Sequence, residues 1–234
     1  MSVVADRRAT GRPGFIRRVW RMVWRVLVVL VFIPIVLVPV YRVANPVSTL
    51  MIYDRLTGVA VERTWVPLDD IAPSLVASVL MSEDGKFCSH RGVDWGELAL
   101  VLDENDERPR GASTIAMQTV KNLFLWQSRS YLRKAIEVPL ALYADAVWGK
   151  RRTMEIYLNV VEWGPGIFGV EAAAQHYFGR PASRLTGSQS ALLAATLPNP
   201  DARDPVQPTR NLSAIAGRIA GMARASGAYT GCLT

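Results

Sequence analysis

The chain has 234 residues, of which 50% are hydrophobic and 20% are charged. This composition suits one domain of ordinary size with an appendage, and it excludes global disorder. The net charge is +7, but the seven arginines and single acid of residues 1–25 contribute +6 of it. The body of the chain is therefore nearly neutral, and we predict no nucleic-acid partner.

The amino-terminal segment is typical of a membrane anchor. Residues 26–41 carry no charge, and extending the stretch back to residue 19 supplies the ~20 apolar residues that a spanning helix needs. Three aromatic residues suited to membrane interfaces flank it: Trp20, Trp24 and Tyr41. We predict a basic cytoplasmic tail over residues 1–18, an anchor over 19–41, and the remainder beyond the membrane. A cleaved signal peptide and a buried core helix are the alternatives.

The segment after the anchor predicts a short extended hairpin and then a helix. Residues 50–66 contain Thr57-Gly58 among several β-formers, which favours a hairpin. Residues 73–82 are apolar and begin with proline, which suits the first turn of a helix. Glu83 and Asp84 then lie where this helix ends, facing a cleft or solvent, because burying an unpaired charge is costly. Taken alone, the pair also fits an ordinary acidic loop.

A second helix is predicted after Gly111, with Ser113 or Thr114 as its N-cap. Its polar residues fall on one stripe, as the helical period requires: Thr114, Gln118, Lys121 and Asn122. These are mostly uncharged donors, which suit sugar hydroxyls or phosphate oxygens. The alternative is an amphipathic helix with an ordinary solvated face.

The rest of the body is predicted to be mainly helical. In the helix over residues 127–148, Arg133 and Lys134 are spaced to pair with Glu137, and Pro139 should kink or interrupt the backbone. The pairing is either a weak surface salt bridge or a second functional carboxylate held ionised. Further helices are predicted over 151–161, 170–179, 185–197 and 212–224, with almost no strand signal after residue 66.

Cysteine and histidine are scarce. Cys88 and Cys232 form no disulfide framework or metal spacing, so we predict two unpaired thiols. His90 and His176 are too few and too scattered to indicate a zinc site.

Taken together, five ordered motifs over about residues 50–200 resemble the glycosyltransferase family 51 domain, the transglycosylase of penicillin-binding proteins. The first motif, E-D-x-x-F-x-x-H-x-G-x-D, is carried by Glu83, Asp84, Phe87, His90, Gly92 and Asp94. The second, G-x-S-T-I-x-x-Q-x-x-K-N, is carried by Gly111, Ser113, Thr114, Ile115, Gln118, Lys121 and Asn122. The others are R-K-x-x-E at Arg133, Lys134 and Glu137, E-x-Y-L-N from Glu155 before a glycine-rich turn, and the helix Ala191 to Pro198.

One departure from the family pattern is Gln189-Ser190, where the family usually has Glu-Ala. The chain contains neither a serine followed three residues later by lysine nor a Lys-Thr-Gly, so it has no candidate for penicillin-binding serine chemistry. The resemblance therefore implies a monofunctional enzyme.

The resemblance implies a mainly α, two-lobed lysozyme-like domain over residues 42–210, followed by a helix and tail over 211–234. It implies that lipid II units are joined with inversion, with Glu83 as general base. Lys121 and Arg129 would hold the donor pyrophosphate, and Glu137 would organise the donor side, through a divalent cation such as Mg²⁺ or Mn²⁺. No organic cofactor is expected. The remaining residues are assigned to substrate binding and positioning: Asp84, Phe87, His90, Thr114, Gln118, Asn122, Arg133 and Lys134.

The expected partners are lipid II, the nascent glycan strand, the bilayer and other cell-wall synthesis proteins. The expected location is the bacterial inner membrane, with one span, a cytoplasmic amino terminus and a periplasmic catalytic domain. Two rival functions stay open at this point. One is a lysozyme-like peptidoglycan hydrolase, which also uses paired carboxylates. The other is a catalytically inactive membrane scaffold for cell-wall enzymes.

Overall fold

The computed structural model describes residues 13–103, 113–127 and 130–233, and this part of the chain is mostly helical. Gly111 of the second motif and Arg129, named above from the family resemblance, lie outside the described residues. The side chains of residues 101–103, at the end of one helix, are likewise outside the description.

Helix α1, Pro13–Tyr41, contains the predicted anchor. Its stretch Gly14–Tyr41 has a mean hydropathy of 2.7 in its most apolar window and is long and apolar enough to cross a membrane. At 1.5 Å per residue it spans ~40 Å, more than the ~30 Å hydrocarbon core of a bilayer. Large side chains such as Leu30 and Phe32 are exposed on it. That exposure disfavours a buried core helix, while a signal sequence has the same length and composition.

The unit Val38–Thr234 carries the other helices and three short strands. Its helices are α2 Thr49–Thr57, α3 Pro73–Glu83, α4 Trp95–Asp103, α5 Ile115–Phe124, α6 Tyr131–Val160, α7 Val170–Phe178, α8 Gly187–Thr196 and α9 Arg210–Arg224. The strands are β1 Glu62–Arg63, β2 Glu162–Gly164 and β3 Ile167–Phe168.

The hairpin predicted over residues 50–66 is wrong, because a helix occupies its first half. Ser48 caps α2 by accepting a hydrogen bond from the Met51 N–H at 3.1 Å, and Gly58 ends the helix at φ +82°. Strand β1 pairs in parallel with β3, about a hundred residues later, and β3 pairs antiparallel with β2. The helix is capped at both ends, and the extended stretch that follows it contributes only β1.

Two clusters of buried side chains build the domain. One joins α3, α7, α8 and α9 and includes Leu75, Leu80 and Trp163. The other joins α5 and α6 and includes Met117 and Ala144. The two clusters agree with the predicted two-lobed helical fold, and the carboxyl end of α3 faces α5 where they adjoin.

Helix α6 covers both helices predicted over residues 127–148 and 151–161, and its interruption lies between these two ranges rather than at Pro139. The backbone stays helical at Pro139, and the one non-helical residue is Gly149, at φ +69° and ψ +173°. Proline removes one hydrogen bond but keeps a helical φ, whereas only glycine adopts a positive φ without steric cost. The prediction of an interruption at Pro139 is therefore wrong.

The prediction of two free thiols is also wrong, because Cys88 and Cys232 form a disulfide with a Cα–Cα distance of 5.5 Å. Helix α9 buries Leu212, Ala216 and Ile219 in the cluster shared with α3 and α8. That packing returns the end of the chain to the loop that follows α3. The sequence separation of 144 between the two cysteines gave no local signal of the pairing.

Reducing this disulfide should lower the free energy of unfolding by roughly 2–5 kcal/mol, because a long-range cross-link restricts the unfolded chain. We would measure guanidinium unfolding of the full chain in detergent, with and without dithiothreitol. The double variant Cys88→Ser, Cys232→Ser is the control, and its unfolding midpoint should be the same with and without dithiothreitol. A wild-type midpoint that does not move on complete reduction would contradict a stabilising role.

Candidate active site

Glu83 is the last residue of α3, and it faces α5. Its Oε2 accepts a hydrogen bond from Gln118 Nε2 at 2.9 Å. The Gln118 Oε1 in turn accepts a hydrogen bond from the Tyr157 hydroxyl of α6 at 3.2 Å. Three elements of the fold thus converge on the carboxylate that the sequence singled out.

The surroundings of Glu83 make its carboxylate a better proton acceptor than an exposed one. Burial raises the pKa of Glu83, and the nearby Asp84 raises it further. The hydrogen bond from Gln118 and the charges of Lys121 and Arg203 lower this pKa, but burial has the larger effect. A carboxylate with a raised pKa accepts a proton more readily, which is what a general base requires.

Asp84 connects the loop after α3 to the start of α5. Its Oδ2 accepts a hydrogen bond from the backbone N–H of Ile115 at 2.9 Å, and its Oδ1 lies 2.9 Å from His90 Nε2. Ile115 is the first residue of α5, where an anion interacts favourably with the helix dipole. Both carboxylate oxygens are therefore engaged, as suits a positioning role.

Thr114 and Phe87 support the same junction from within the protein. Thr114 is buried and caps α5, accepting from the Met117 N–H at 3.2 Å and donating to the Gly92 carbonyl at 2.6 Å. Phe87 is fully buried, with its ring edge-on to His90 at 6.3 Å. Gly92 has φ +74°, and a Cβ there would lie 2.7 Å from the Ala141 carbonyl oxygen. Phe87 therefore lies beneath the cleft, while Thr114 also lines its smaller cavity.

Two cavities adjoin this junction. One, of about 230 Å³, is lined by Glu83, Asp84 and Ser113. The other, of about 600 Å³, is lined on one side by Gln118, Lys121 and Asn122, and on the other by residues 197–201. Three members of the predicted polar stripe thus line the larger cavity, and the fourth, Thr114, lines the smaller one. Burial lowers the pKa of Lys121, while Glu137 and Glu83 raise it.

Glu137 lies at the centre of a buried ionic cluster. It has no exposed surface, and it pairs with Arg133 and with Lys134, whose Nζ lies 3.0 Å from Oε1. Ser113 donates to Glu137 Oε1 at 3.3 Å and accepts from Lys134 at 2.6 Å. The predicted pairing is confirmed, and its burial excludes the ordinary surface salt bridge.

The donor set around Glu137 does not fit a divalent cation. Each of its oxygens already faces a cationic side chain, and Mg²⁺ prefers several oxygen ligands. Within residues 13–103, 113–127 and 130–233, no three His, Cys, Asp or Glu residues are grouped to hold a metal. We therefore derive no step of the chemistry through a metal at Glu137.

Three residues near the site were not singled out from the sequence. Tyr157 was quoted only as a motif member, and Arg203 lies beyond the last motif. Glu162 lines the larger cavity, and burial together with Asp201 and Asp54 raises its pKa to about 7. The glutamate before Trp163-Gly164 was visible in the sequence, but its burial was not.

The helical fold and the buried carboxylates of the cleft agree with a family assignment. Residues 51–224 match the family model described as Transglycosylase, and the chain belongs to that family. Among its relatives, a Brucella suis protein is 60% identical over 213 residues, covering 89% of this chain and 95% of its own length. A protein of Agrobacterium fabrum is 56% identical, covering 88% and 93%, and one of Mesorhizobium japonicum is 55% identical, covering 96% and 99%. Each is named biosynthetic peptidoglycan transglycosylase.

Proposed function

We propose that this chain polymerises the glycan strands of peptidoglycan from lipid II, forming β-1,4 links and releasing undecaprenyl pyrophosphate. Membership of the transglycosylase family supports the reaction class. The names of relatives that align over nearly their whole length support the substrate. The observation that carries the assignment of roles is the Glu83 carboxylate, half-buried at a cavity and held by Gln118.

In this proposal Glu83 is the general base. The 4-hydroxyl of the acceptor GlcNAc is a weak nucleophile until its proton is removed as the new bond forms. Glu83 takes that proton while the oxygen attacks C1 of the donor MurNAc, and the pyrophosphate departs from the opposite face. One displacement of this kind inverts an α-linked donor into a β-linked product. The raised pKa of Glu83 brings the base closer to the operating pH, where general-base catalysis is most effective.

The leaving group needs cations more than it needs a proton, because pyrophosphate is stable as an anion. Lys121 faces the larger cavity on the same helix as Gln118 and is the cation we place there. Arg133 and Lys134 add positive charge that Glu137 only partly offsets. Arg129 is assigned to the same group by family resemblance alone.

The membrane supports this chemistry by confining enzyme and substrates to one surface. We propose that α1 anchors the chain in the bacterial inner membrane, with the amino terminus in the cytoplasm and the catalytic domain in the periplasm. Both substrates carry polyprenyl tails, so tethering raises their effective concentration at the site. In α2, Ile52, Tyr53 and Leu56 are exposed, and such side chains suit contact with lipid. Binding of other cell-wall synthesis proteins stays a prediction.

The first rival, a peptidoglycan hydrolase, differs in the substrate that it consumes. A hydrolase has no pyrophosphate to hold, so the half-buried Lys121, whose pKa the charge of Glu83 raises, favours the transferase. Purified full-length protein in detergent should convert lipid II into polymer that lysozyme digests, and should leave finished glycan strands intact. Shortening of the finished strands without any polymer from lipid II would establish the hydrolase instead.

A further inference from the structure

A chain of hydrogen bonds across three helices links the fully buried Tyr157 to Gln118 and Glu83, which are both half-buried. Tyr157 of α6 has no exposed surface, and its hydroxyl is 3.2 Å from Gln118 Oε1. The Gln118 Nε2 on α5 is 2.9 Å from Glu83 Oε2. Tyr157 is thus linked through Gln118 to the Glu83 carboxylate, the group that we assign as the base.

The chemistry of these groups permits one orientation of the Gln118 amide. An ionised carboxylate only accepts hydrogen bonds, so Glu83 needs the NH₂ of the amide facing it. Burial, with Glu83 and Asp84 nearby, raises the pKa of Tyr157 well above its usual value, so its hydroxyl stays protonated and donates. A flipped amide would place its oxygen against the carboxylate and would leave the Tyr157 hydroxyl without its acceptor. Tyr157 and Glu83 therefore favour the same orientation.

We propose that Tyr157 is a positioning residue that holds the Gln118 amide with its NH₂ toward Glu83, and thereby keeps the carboxylate oriented and ionised for proton abstraction. The inference rests on the proposed role of Glu83 as general base. Tyr157 lies beneath Gln118 in the core, so its effect passes through the amide and not through contact with a sugar.

The effect of the Tyr157 hydroxyl on the pKa of Glu83 can be separated from the effects of the charged groups around Glu83. Lys121 from α5 and Arg203 from the segment after α8 lower the pKa of Glu83, while Asp84 raises it. Removing the Tyr157 hydroxyl leaves all three charges in place. The hydrogen bond from Gln118 also lowers this pKa, so weakening it raises the pKa. The base is then ionised only at higher pH, and the acidic limb of the rate profile moves upward.

Tyr157→Phe is the test variant, made in the full chain and assayed for lipid II polymerisation across pH. We expect a roughly tenfold lower kcat near neutral pH, the scale of one lost buried hydrogen bond, with little change in KM. The loss should shrink as pH rises. Tyr177→Phe is the matched control, because the Tyr177 hydroxyl bonds the Trp163 carbonyl at 3.2 Å and is not hydrogen-bonded to Gln118. An unshifted acidic limb in Tyr157→Phe would overturn the proposal.

A double-variant cycle separates positioning from general loss of stability. In a Gln118→Ala background, Tyr157→Phe should cause no further shift of the acidic limb, because the amide through which it acts is gone. Equal shifts in both backgrounds would show that Tyr157 acts by another route and would refute the inference.

A direct titration distinguishes this inference from the proposed function. Carbon-13 NMR of glutamate-labelled protein, with the Glu83 signal assigned by its loss in Glu83→Gln, reports the pKa without turnover. A higher pKa of Glu83 in Tyr157→Phe than in wild type supports the positioning role, even if Glu83→Gln proves fully active and the general-base role fails. An identical pKa in both proteins refutes the positioning role whatever the activity of Glu83→Gln.

Discussion

Glu83→Gln is expected to lower the rate of lipid II polymerisation by about 10²–10⁴-fold, the usual contribution of a positioned general base. The amide keeps the shape of the side chain but cannot accept the proton of the attacking hydroxyl. Substrate binding should change much less, because Lys121 and the residues around the larger cavity remain. The loss should therefore appear in kcat rather than in KM.

The stability of the same variant should move in the opposite direction. The folded-state pKa of Glu83 is raised by burial, so ionising this group costs folding free energy as pH rises through its folded pKa. At neutral pH a neutral glutamine avoids that cost, and we expect an unchanged or higher Tm. Wild-type activity should fall as the pH is lowered, because Glu83 becomes protonated. This acidic limb should lie at a higher pH than it would if the base were an exposed glutamate.

Glu62→Gln is the matched control for these measurements, because it makes the same substitution at an exposed position. It should retain wild-type rate and stability. If Glu83→Gln polymerised lipid II as fast as this control, the general-base role would fail. If the wild-type protein itself formed no polymer, the scaffold alternative would gain support.

Glu137→Ala should lower the free energy of unfolding by about 3–5 kcal/mol, the cost of removing one partner from a buried ion pair. The positive charges of Arg133 and Lys134 would then have lost the carboxylate that compensates them, although these side chains are only 12% and 31% exposed. Urea unfolding of the full chain in detergent measures the change. We expect polymerisation to fall as well, because Ser113 and the cations lose the group that holds them.

The control for Glu137→Ala is Glu97→Ala, which breaks an exposed pair. Glu97 lies 2.9 Å from Lys86, but the two side chains are 46% and 59% exposed, and such pairs contribute at most ~1 kcal/mol. Equal destabilisation by the two variants would show that the buried cluster around Glu137 stabilises the fold no more than an exposed ion pair does.

Features that depend on local spacing were predictable from the sequence. The Arg133, Lys134 and Glu137 cluster follows from the helical period, which brings residues three and four apart onto one face. The end of α3 at Glu83 and the cap of α5 at Thr114 follow from an apolar run and a capping residue. The motif spacings placed both carboxylates in a known family before any contact was visible.

The errors all concern positions where distant packing or backbone freedom decided the outcome. Within residues 59–66 only Glu62 and Arg63 form a strand, and their partner is β3, which only the packed fold brings near. Helix α6 continues through Pro139 and is interrupted at Gly149, in the gap between the two predicted helices, because glycine adopts a positive φ without steric cost. Cys88 and Cys232 are joined because α9 returns to α3.

The sequence by itself determined the class of the protein, the membrane-suited helix and the residue types at the site, because each depends on composition or on spacing within a few turns. The tertiary structure decided how those residues act. The backbone N–H of Ile115 meets Asp84 only because α5 starts beside α3, and Gln118 meets Glu83 only because the helices face each other. The pKa of Glu83 depends on how deeply it is buried, and burial is a property of the packed chain rather than of any segment.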